Sequence, residues 1–362
     1  MTDPRVPGNR FKNSDHRTEL LERAAERIRH GGLVAFPTET VYGLGANALD
    51  PQAVAAIFRV KGRPSTNPLI VHLADDAILP QVALAIPPLA RKLMQHFWPG
   101  PLSLVLQKHP QVPEIVTAGG PTVAVRWPAH PIAQAFLRLA GVPVAAPSAN
   151  RSLEISPSCA EHVVASLGDQ IDCIIDGGPT LTGIESTVVD ATVTPMRLLR
   201  PGPITVRQLE SVVGPIELAP HLRSQHLAYL QDAFDSTSTA QPGAESSSEI
   251  ARSPGQMRRH YAPKTPLLLA ESEAASVEFV HALRTAGEAV GWITTLDAAQ
   301  HPPGQPNLQL PATPMGYAAG LYSALHLLDG MKLSRIVASH PPHDLDWLAV
   351  ADRLTRAAAR EQ

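Results

Sequence analysis

Short apolar runs closed by proline or glycine alternate with helix-spaced stretches along this chain, and that alternation leaves few folds open. LVAFPT, PLIVHL (68–73), SLVLQ (103–107), TVAVRW (122–127) and VPVAAPSAN (142–150) each read as a strand bounded by a breaker. Between them, residues 16–30 place Leu20, Leu21, Ala24, Ala25 and Ile28 at helical spacing, and Gly31 and Gly32 stop the helix. A second helix runs from Pro51, with Asp50 before it as a cap, and a third covers 131–140. CIIDGG (173–178), STVVDAT (186–192) and RLLRPG (197–202) continue the strand series. The pattern predicts an α/β domain over residues 15–205. It does not give the strand order.

The pattern then breaks. Of the 20 positions in 235–254, eight are Ser or Thr and large apolar residues are nearly absent, which reads as a flexible linker. From about 265 strands and helices alternate again to the end, predicting a smaller Rossmann-like α/β domain over 265–362 behind a linker over 206–264. That second domain has no GxGxxG, so a dinucleotide role is not supported. Two cysteines, Cys159 and Cys173, cannot make a zinc ribbon or a disulfide framework. No run of about 18 uncharged apolar residues is present, and the first 15 residues have charge and no apolar stretch. A soluble cytoplasmic protein, without a membrane span, is expected. Residues 1–210 hold 19 basic and 18 acidic side chains, so any anion binding depends on local placement.

The densest polar cluster is FPTETVYGLGANALD (36–50), with hydroxyls at Thr38, Thr40 and Tyr42, a carboxylate at Glu39, and bare backbone at Gly43 and Gly45. It suits close approach to a polar ligand. It equally suits a strand–turn–helix connection with a threonine cap. KGRPSTNPLIVHL (61–73) puts Lys61 and Arg63 on either side of a glycine, ahead of two prolines. A stiff loop with two cations could clamp a triphosphate, or be a solvated basic turn. His72, inside an apolar strand, reads most simply as a core residue. Arg126 ends another apolar strand and needs an anionic partner, either a structural carboxylate or a ligand's. Ser148, Asn150, Ser186, Thr187 and Arg200 are strand-terminal polar residues, where open α/β sheets bind ligands, though each alone fits a turn. HExxH, GxSxG and GxxxxGK[ST] are all absent. The candidates position a ligand; they do not pair a nucleophile with a base.

PTETVYGLGANA, KGRPSTNPLIVH, FWPGPLSLVL, VAVRWPAHP, PSANRS, DGGPTLTGIESTVVD and LLRPGPI occur in one order, and together they resemble the YrdC-like threonylcarbamoyl-AMP synthase family over about 15–205. SPGQMRRHYAPKTP and the C-terminal segment resemble the long, two-domain form. The resemblance implies a twisted open α/β fold and a reaction of L-threonine, bicarbonate and ATP giving threonylcarbamoyl-AMP and pyrophosphate. The product would go to a tRNA threonylcarbamoyl transferase complex. By the same resemblance Thr40, His72, Arg126, Ser186 and the backbone at Ala146 contact threonine. Arg63, Asn67, Thr122, Ser148, Asn150, Ser156, Arg200 and Tyr261 contact ATP. Lys61 and Arg63 act on the phosphates, with Mg²⁺ entering alongside ATP and no metal site of the protein's own. His260 and Tyr261 belong to a segment that folds over the active-site mouth.

Leu153 stands where the family usually has glycine; if that position needs a positive φ, the loop carrying Ser156 must be rebuilt. Ala319, Gly320 and Asp352 also depart from the family pattern, and are expected to bear on the second domain alone. Three competing readings remain. A double-stranded RNA-binding module of the same fold is disfavoured as the main function by the even charge balance, with weak RNA binding kept as an expectation beside the enzyme reading. A hydrogenase-maturation carbamoyltransferase would need more cysteines. A YciO-like paralogue would lack Lys61, Arg63, Ser148 and Asn150.

Overall fold

A computed structural model describes residues 14–224, 260–302, 304 and 306–359 of the chain. The Ser/Thr-rich stretch 235–254 lies outside the described residues. The first domain contains α1 (Ser14–Arg29), β1 (Val34–Phe36), β2 (Gly43–Asn47), α2 (Pro51–Lys61), β3 (Ile70–His72), α3 (Pro88–Phe97) and β4 (Leu102–Gln107). It continues with α4 (Glu114–Thr117), β5 (Thr122–Arg126), α5 (Pro131–Ala140), β6 (Val144–Ala145), α6 (Ala160–Leu167) and β7 (Cys173–Ile174). It ends with β8 (Thr187–Asp190), β9 (Arg197–Arg200), α7 (Val206–Val213) and β10 (Glu217–Leu218).

Ten strands form one mixed sheet in the order β10-β9-β8-β4-β5-β3-β6-β2-β1-β7. The strands are short and buried on both faces, as in VAF of β1 and IVH of β3, so they read as continuous apolar runs. On one face α5 packs on α1, through Ile132, Phe136 and Leu137 against Leu21, Ala25 and Ile28. Burying each large side chain contributes about 1.5–3 kcal/mol. α3 and α6 lie outside the expected set of elements; α3 begins at a proline and carries Ala90, Leu93 and Met94 inward.

The domain boundary expected at 205 needs correction. Thr205 opens α7 with a capping box to Gln208, and Leu209 is fully buried. β10 then pairs with β9, and Ile216, Ala219 and Leu222 join the main core. Residues 206–224 therefore belong to the first domain and not to a linker. The proline pair around 201–203 hid this continuation, because it looks like a terminator.

The second domain has β11 (Leu267–Ala270), α8 (Glu273–Thr285), β12 (Val290–Thr294), β13 (Asn307–Gln309), α9 (Pro314–Asp329), β14 (Arg335–Ser339) and α10 (Leu348–Ala358). Its strands are all parallel, in the order β11-β14-β12-β13. α8 covers one face through Val280 against Trp292 and Val337. α9 and α10 cover the other, with Leu321, Leu325, Val350 and Leu354. No helix among the described residues is long and apolar enough to cross a membrane.

Candidate functional site

β3 and β5 run parallel with His72 beside Arg126, so both side chains stand at the same strand-end edge of the sheet. Arg126 is 3% exposed. Its Nη1 donates to Thr40 Oγ1 at 2.9 Å and its Nε to the Gly100 carbonyl at 3.3 Å. Nη2 lies 2.8 Å from Glu39 Oε1 but out of line for a hydrogen bond, and neither oxygen of that carboxylate has a hydrogen-bond partner. The structural carboxylate that the sequence left open is thus Glu39. It neutralises the guanidinium without saturating its donors, which leaves capacity for a ligand carboxylate. Thr40 Oγ1 also meets Thr38 Oγ1 at 2.7 Å, fixing the turn.

His72 lines the same cleft, and its Nδ1 has no hydrogen-bond partner. Burial, with Arg126 adding to it, pushes its pKa down to about 3, so it is a neutral imidazole. The unfolded chain takes up this proton near pH 6.5 and the native state does not until about pH 3. The native state therefore loses stability as pH falls through that window. Between pH 7 and 5 His72 alone should cost about 2 kcal/mol, read as a fall in melting temperature that His72→Gln abolishes in part. A melting temperature equally pH-dependent in the variant would contradict this.

The two cations of the KGR loop part company. α2 ends at Lys61, Gly62 takes φ +60°, and the Arg63 amide bonds back to the Phe58 carbonyl. That reversal sends Arg63 into the cleft, where Nε donates to the Asn67 carbonyl at 3.1 Å and Nη2 to the Pro68 carbonyl at 2.8 Å. Lys61 stays on the buried face of α2. Its Nζ donates to the Ser148 carbonyl at 2.7 Å and to the Asn150 carbonyl, and it does not line the cleft. In this arrangement Arg63 faces the cleft and Lys61 pins the loop that presents Ser148. Burial, with Arg63 next, holds the Lys61 amine well below its usual pKa, while three oxygens around Nζ satisfy its buried donors.

Asn150 completes this pin by donating from Nδ2 to the Glu154 carbonyl at 2.8 Å. Leu153 takes φ +75°, so the glycine-like conformation is kept and the loop is not rebuilt. Its carbonyl accepts from the Ala262 amide at 2.9 Å, which docks the segment after Tyr261. Leu153→Gly should relieve about 1 kcal/mol of left-handed strain, partly offset by glycine's greater unfolded-state entropy. Thermal unfolding should show a gain of up to a few degrees; a clear loss would mean the leucine side chain is doing more for the fold than the backbone loses.

Ser156 donates to Glu185 Oε1 at 2.5 Å, and Arg200 donates to the Ser186 carbonyl and Oγ, each at 3.1 Å. Ser186 Oγ in turn meets Ser103 Oγ at 2.8 Å. Glu185 is completed by the second domain: Tyr322 donates from its hydroxyl at 3.0 Å and Arg353 from Nε at 2.8 Å. Burial opposes its charge, but Arg353 and then Arg200 hold the carboxyl below its usual range. Tyr261, at φ +61° and 1% exposed, lies with its ring 5.1 Å from the Arg353 guanidinium and 5.7 Å from the Tyr322 ring. His260 packs edge-on at 4.0 Å, and burial followed by Arg63 and Lys61 keeps it neutral. With these two rings in place the cleft retains about 50 Å³.

Thr40, Arg63, His72, Arg126, Ala146, Ser148, Ser186, Arg200 and Tyr261 share this cleft lining. The Ala146 amide is already bonded to the Ile70 carbonyl, so only its carbonyl could serve a ligand. Asn67, Thr122, Asn150 and Ser156 stand outside the lining. Thr122 opens β5 at the end opposite Arg126, on the side of the Arg63–Pro68 loop. Gly45 serves the sheet and not a ligand, since a Cβ there would lie 2.8 Å from Val144. Glu39, Glu185, Tyr322 and Arg353 were not among the expected site residues. Asp352 and its neighbours do not act on the second domain alone: Asp352 binds Arg353 at 2.7 Å and Arg356 at 2.8 Å, bracing the arginine that reaches Glu185. Among the described residues no three His, Cys, Asp or Glu side chains converge as a metal site would need. The one carboxylate lining the cleft, Glu185, is consumed by its partners, so the residues present do not fit a protein-held Mg²⁺.

Comparison with known proteins bears on both domains. The Sua5/YciO/YrdC family model, described as telomere recombination, matches residues 26–202. A model described as the threonylcarbamoyl-AMP synthase C-terminal domain matches residues 204–359. The threonylcarbamoyl-AMP synthase of Pyrococcus abyssi is 41% identical, over 92% of this chain and 93% of its own. That of Bacillus subtilis is also 41% identical, over 93% and 92%. The crystal structure of P. abyssi Sua5 complexed with L-threonine superposes with a TM-score of 0.83 at 40% identity, covering 93% of this chain and 94% of that one.

Proposed function

The chain belongs to the threonylcarbamoyl-AMP synthase family in its two-domain form, and from this we propose that it is an enzyme joining L-threonine, bicarbonate and ATP into threonylcarbamoyl-AMP with release of pyrophosphate. The observation that carries the reading is one cleft lined by Arg126, Thr40 and His72 together with Arg63 and Arg200. The first group matches the carboxylate and polar ends of an amino acid. The second matches a polyphosphate.

In this reading Arg126 holds the threonine carboxylate, with Thr40 and neutral His72 orienting the rest. The threonine amine adds to CO₂ with loss of a proton, or condenses with bicarbonate with loss of water, and the resulting carbamate oxygen attacks the α-phosphorus as pyrophosphate leaves. Arg63 and Arg200 stabilise charge that develops on the phosphates. The chain contributes placement and electrostatics, and no side chain is assigned as a general base. Magnesium belongs to the ATP substrate, and no step is routed through it. Tyr261 and His260 must withdraw to admit ATP, since about 50 Å³ holds little more than water. On return they exclude solvent from a labile mixed anhydride. The product then passes, in the cytoplasm, to a separate transferase that modifies tRNA.

Arg63→Ala should weaken ATP binding about tenfold to a hundredfold, by loss of a charged hydrogen-bond donor, and leave threonine binding within about threefold. Calorimetric titration of each ligand checks this, and equal ATP affinity removes Arg63 from the nucleotide site. Mass spectrometry of products, with threonine, bicarbonate, ATP or Mg²⁺ left out in turn, tests the reaction itself. Product formed without threonine or without bicarbonate would refute it. The RNA-binding alternative finds no support in the burial of these groups. Arg63, Arg126 and Arg200 are only 8%, 3% and 5% exposed, unlike cations meant for a duplex backbone.

A further inference from the structure

Away from the catalytic cleft, the second domain has a cavity of about 290 Å³ beyond the carboxyl ends of β11, β12 and β14. The chain passes from β11 over β14 to β12, on to β13, and then returns to β14, so its connections reverse direction at this edge. Open parallel sheets bind their ligands at such a crevice. A second observation is independent of topology. Tyr317, in the first turn of α9, is 2% exposed, lines the cavity, and its hydroxyl has no hydrogen-bond partner. A buried hydroxyl left unmatched costs stability unless something else satisfies it.

The walls define the ligand's chemistry. Tyr317 and Trp347 meet edge to face at 5.9 Å, and Pro341 and Pro342 extend the apolar surface. Such surfaces take a flat ring. The Glu273 carboxylate at the start of α8 is spent on the end of β12, accepting from Thr294 Oγ1 at 2.9 Å and from the Thr295 amide and Oγ1 at 2.8 Å, while the Ser272 hydroxyl accepts from the Ala275 amide. Glu271 adds a second negative charge at the rim. A phosphate would be repelled where the usual Rossmann-type site would hold it. Ser339, the Ser272 hydroxyl that also caps the Ala275 amide, the Glu271 carboxylate and the stacked His340 and His343 imidazoles line the same space and can meet a polyol.

We propose that this cavity binds an uncharged ribonucleoside, its base against Trp347 and Tyr317, with the Tyr317 hydroxyl donating to it. The inference is independent of the reaction proposed for the other domain.

Indole ¹H–¹⁵N spectra of the full-length protein provide the test. The chain has four tryptophans, and Trp347→Phe assigns the Trp347 signal. Adenosine, guanosine, cytidine and uridine are titrated separately, each beside its 5′-monophosphate. At least one nucleoside should move the Trp347 signal saturably, and its monophosphate should bind at least tenfold more weakly. Tyr317→Phe should weaken that nucleoside about tenfold while leaving the ligand-free melting temperature unchanged or higher. The proposal is overturned if no nucleoside moves Trp347, if only Trp98 or Trp127 of the first domain respond, if a monophosphate binds as well as its nucleoside, or if Tyr317→Phe binds as tightly as the parent.

Discussion

Arg126→Lys should raise the threonine KM about a hundredfold and leave the ATP KM within about threefold. Lysine keeps the charge against Glu39, so the buried carboxylate is not abandoned and the fold survives. What it loses is the planar fork. Arg126 spends one amino group on Thr40 and its Nε on the Gly100 carbonyl, and Nη2 has no aligned bond. A single ammonium cannot hold the turn and receive a carboxylate in two-point contact. Losing a charged bidentate contact is worth about 1.5–3 kcal/mol, which reaches the hundredfold range at its upper end. Initial rates with each substrate varied in turn decide the matter. An unchanged threonine KM, or an equal rise for ATP, would place the carboxylate elsewhere.

Arg353→Met should cost about 3–5 kcal/mol of stability, because it leaves Glu185 in a buried site with its ion-paired guanidinium gone and only the weaker influence of Arg200 to offset its charge. Adenylate synthesis should fall at least about a hundredfold, although Arg353 lies behind the cleft wall and is a positioning residue. Its loss frees Glu185 from one of three donors and removes the guanidinium beneath the Tyr261 ring. Arg207→Ala serves as the control, since its pair with Asp344 also joins the two domains but is 64% and 48% exposed. That exposed pair should be worth under about 1 kcal/mol. Melting curves and adenylate yield for both variants are the measurements. If Arg353→Met behaves like Arg207→Ala, the buried network does not govern the site.

What the sequence disclosed followed from locality. Ser148 and Arg200 each sit beside a proline and Arg126 stands two residues before one, so their places at strand ends were readable, whereas His72 has no such breaker and read as core. The resemblance then supplied their grouping. Lys61 and Arg63 look equivalent in a string, but one glycine with a positive φ turns them into different surroundings. Glu185 and Arg353 are 168 positions apart, and no periodic pattern encodes a contact across two domains. Glu39 was visible but read as one polar residue among several, since its partner, Arg126, enters from a different strand. α7 was lost to the prolines before it, which end a strand without ending the domain.

Arg353 lies in α10, the last element of the chain described, while the turn it helps to enclose begins near Thr38. During synthesis the first domain therefore emerges with an unfinished wall, and Glu185 waits for a partner 168 positions further along the chain. A chain broken off before residue 348 would keep every residue of its ten-stranded sheet, yet it would present Glu185 without the Arg353 guanidinium. Removal of α10 would thus reach the cleft wall without touching a residue that lines it.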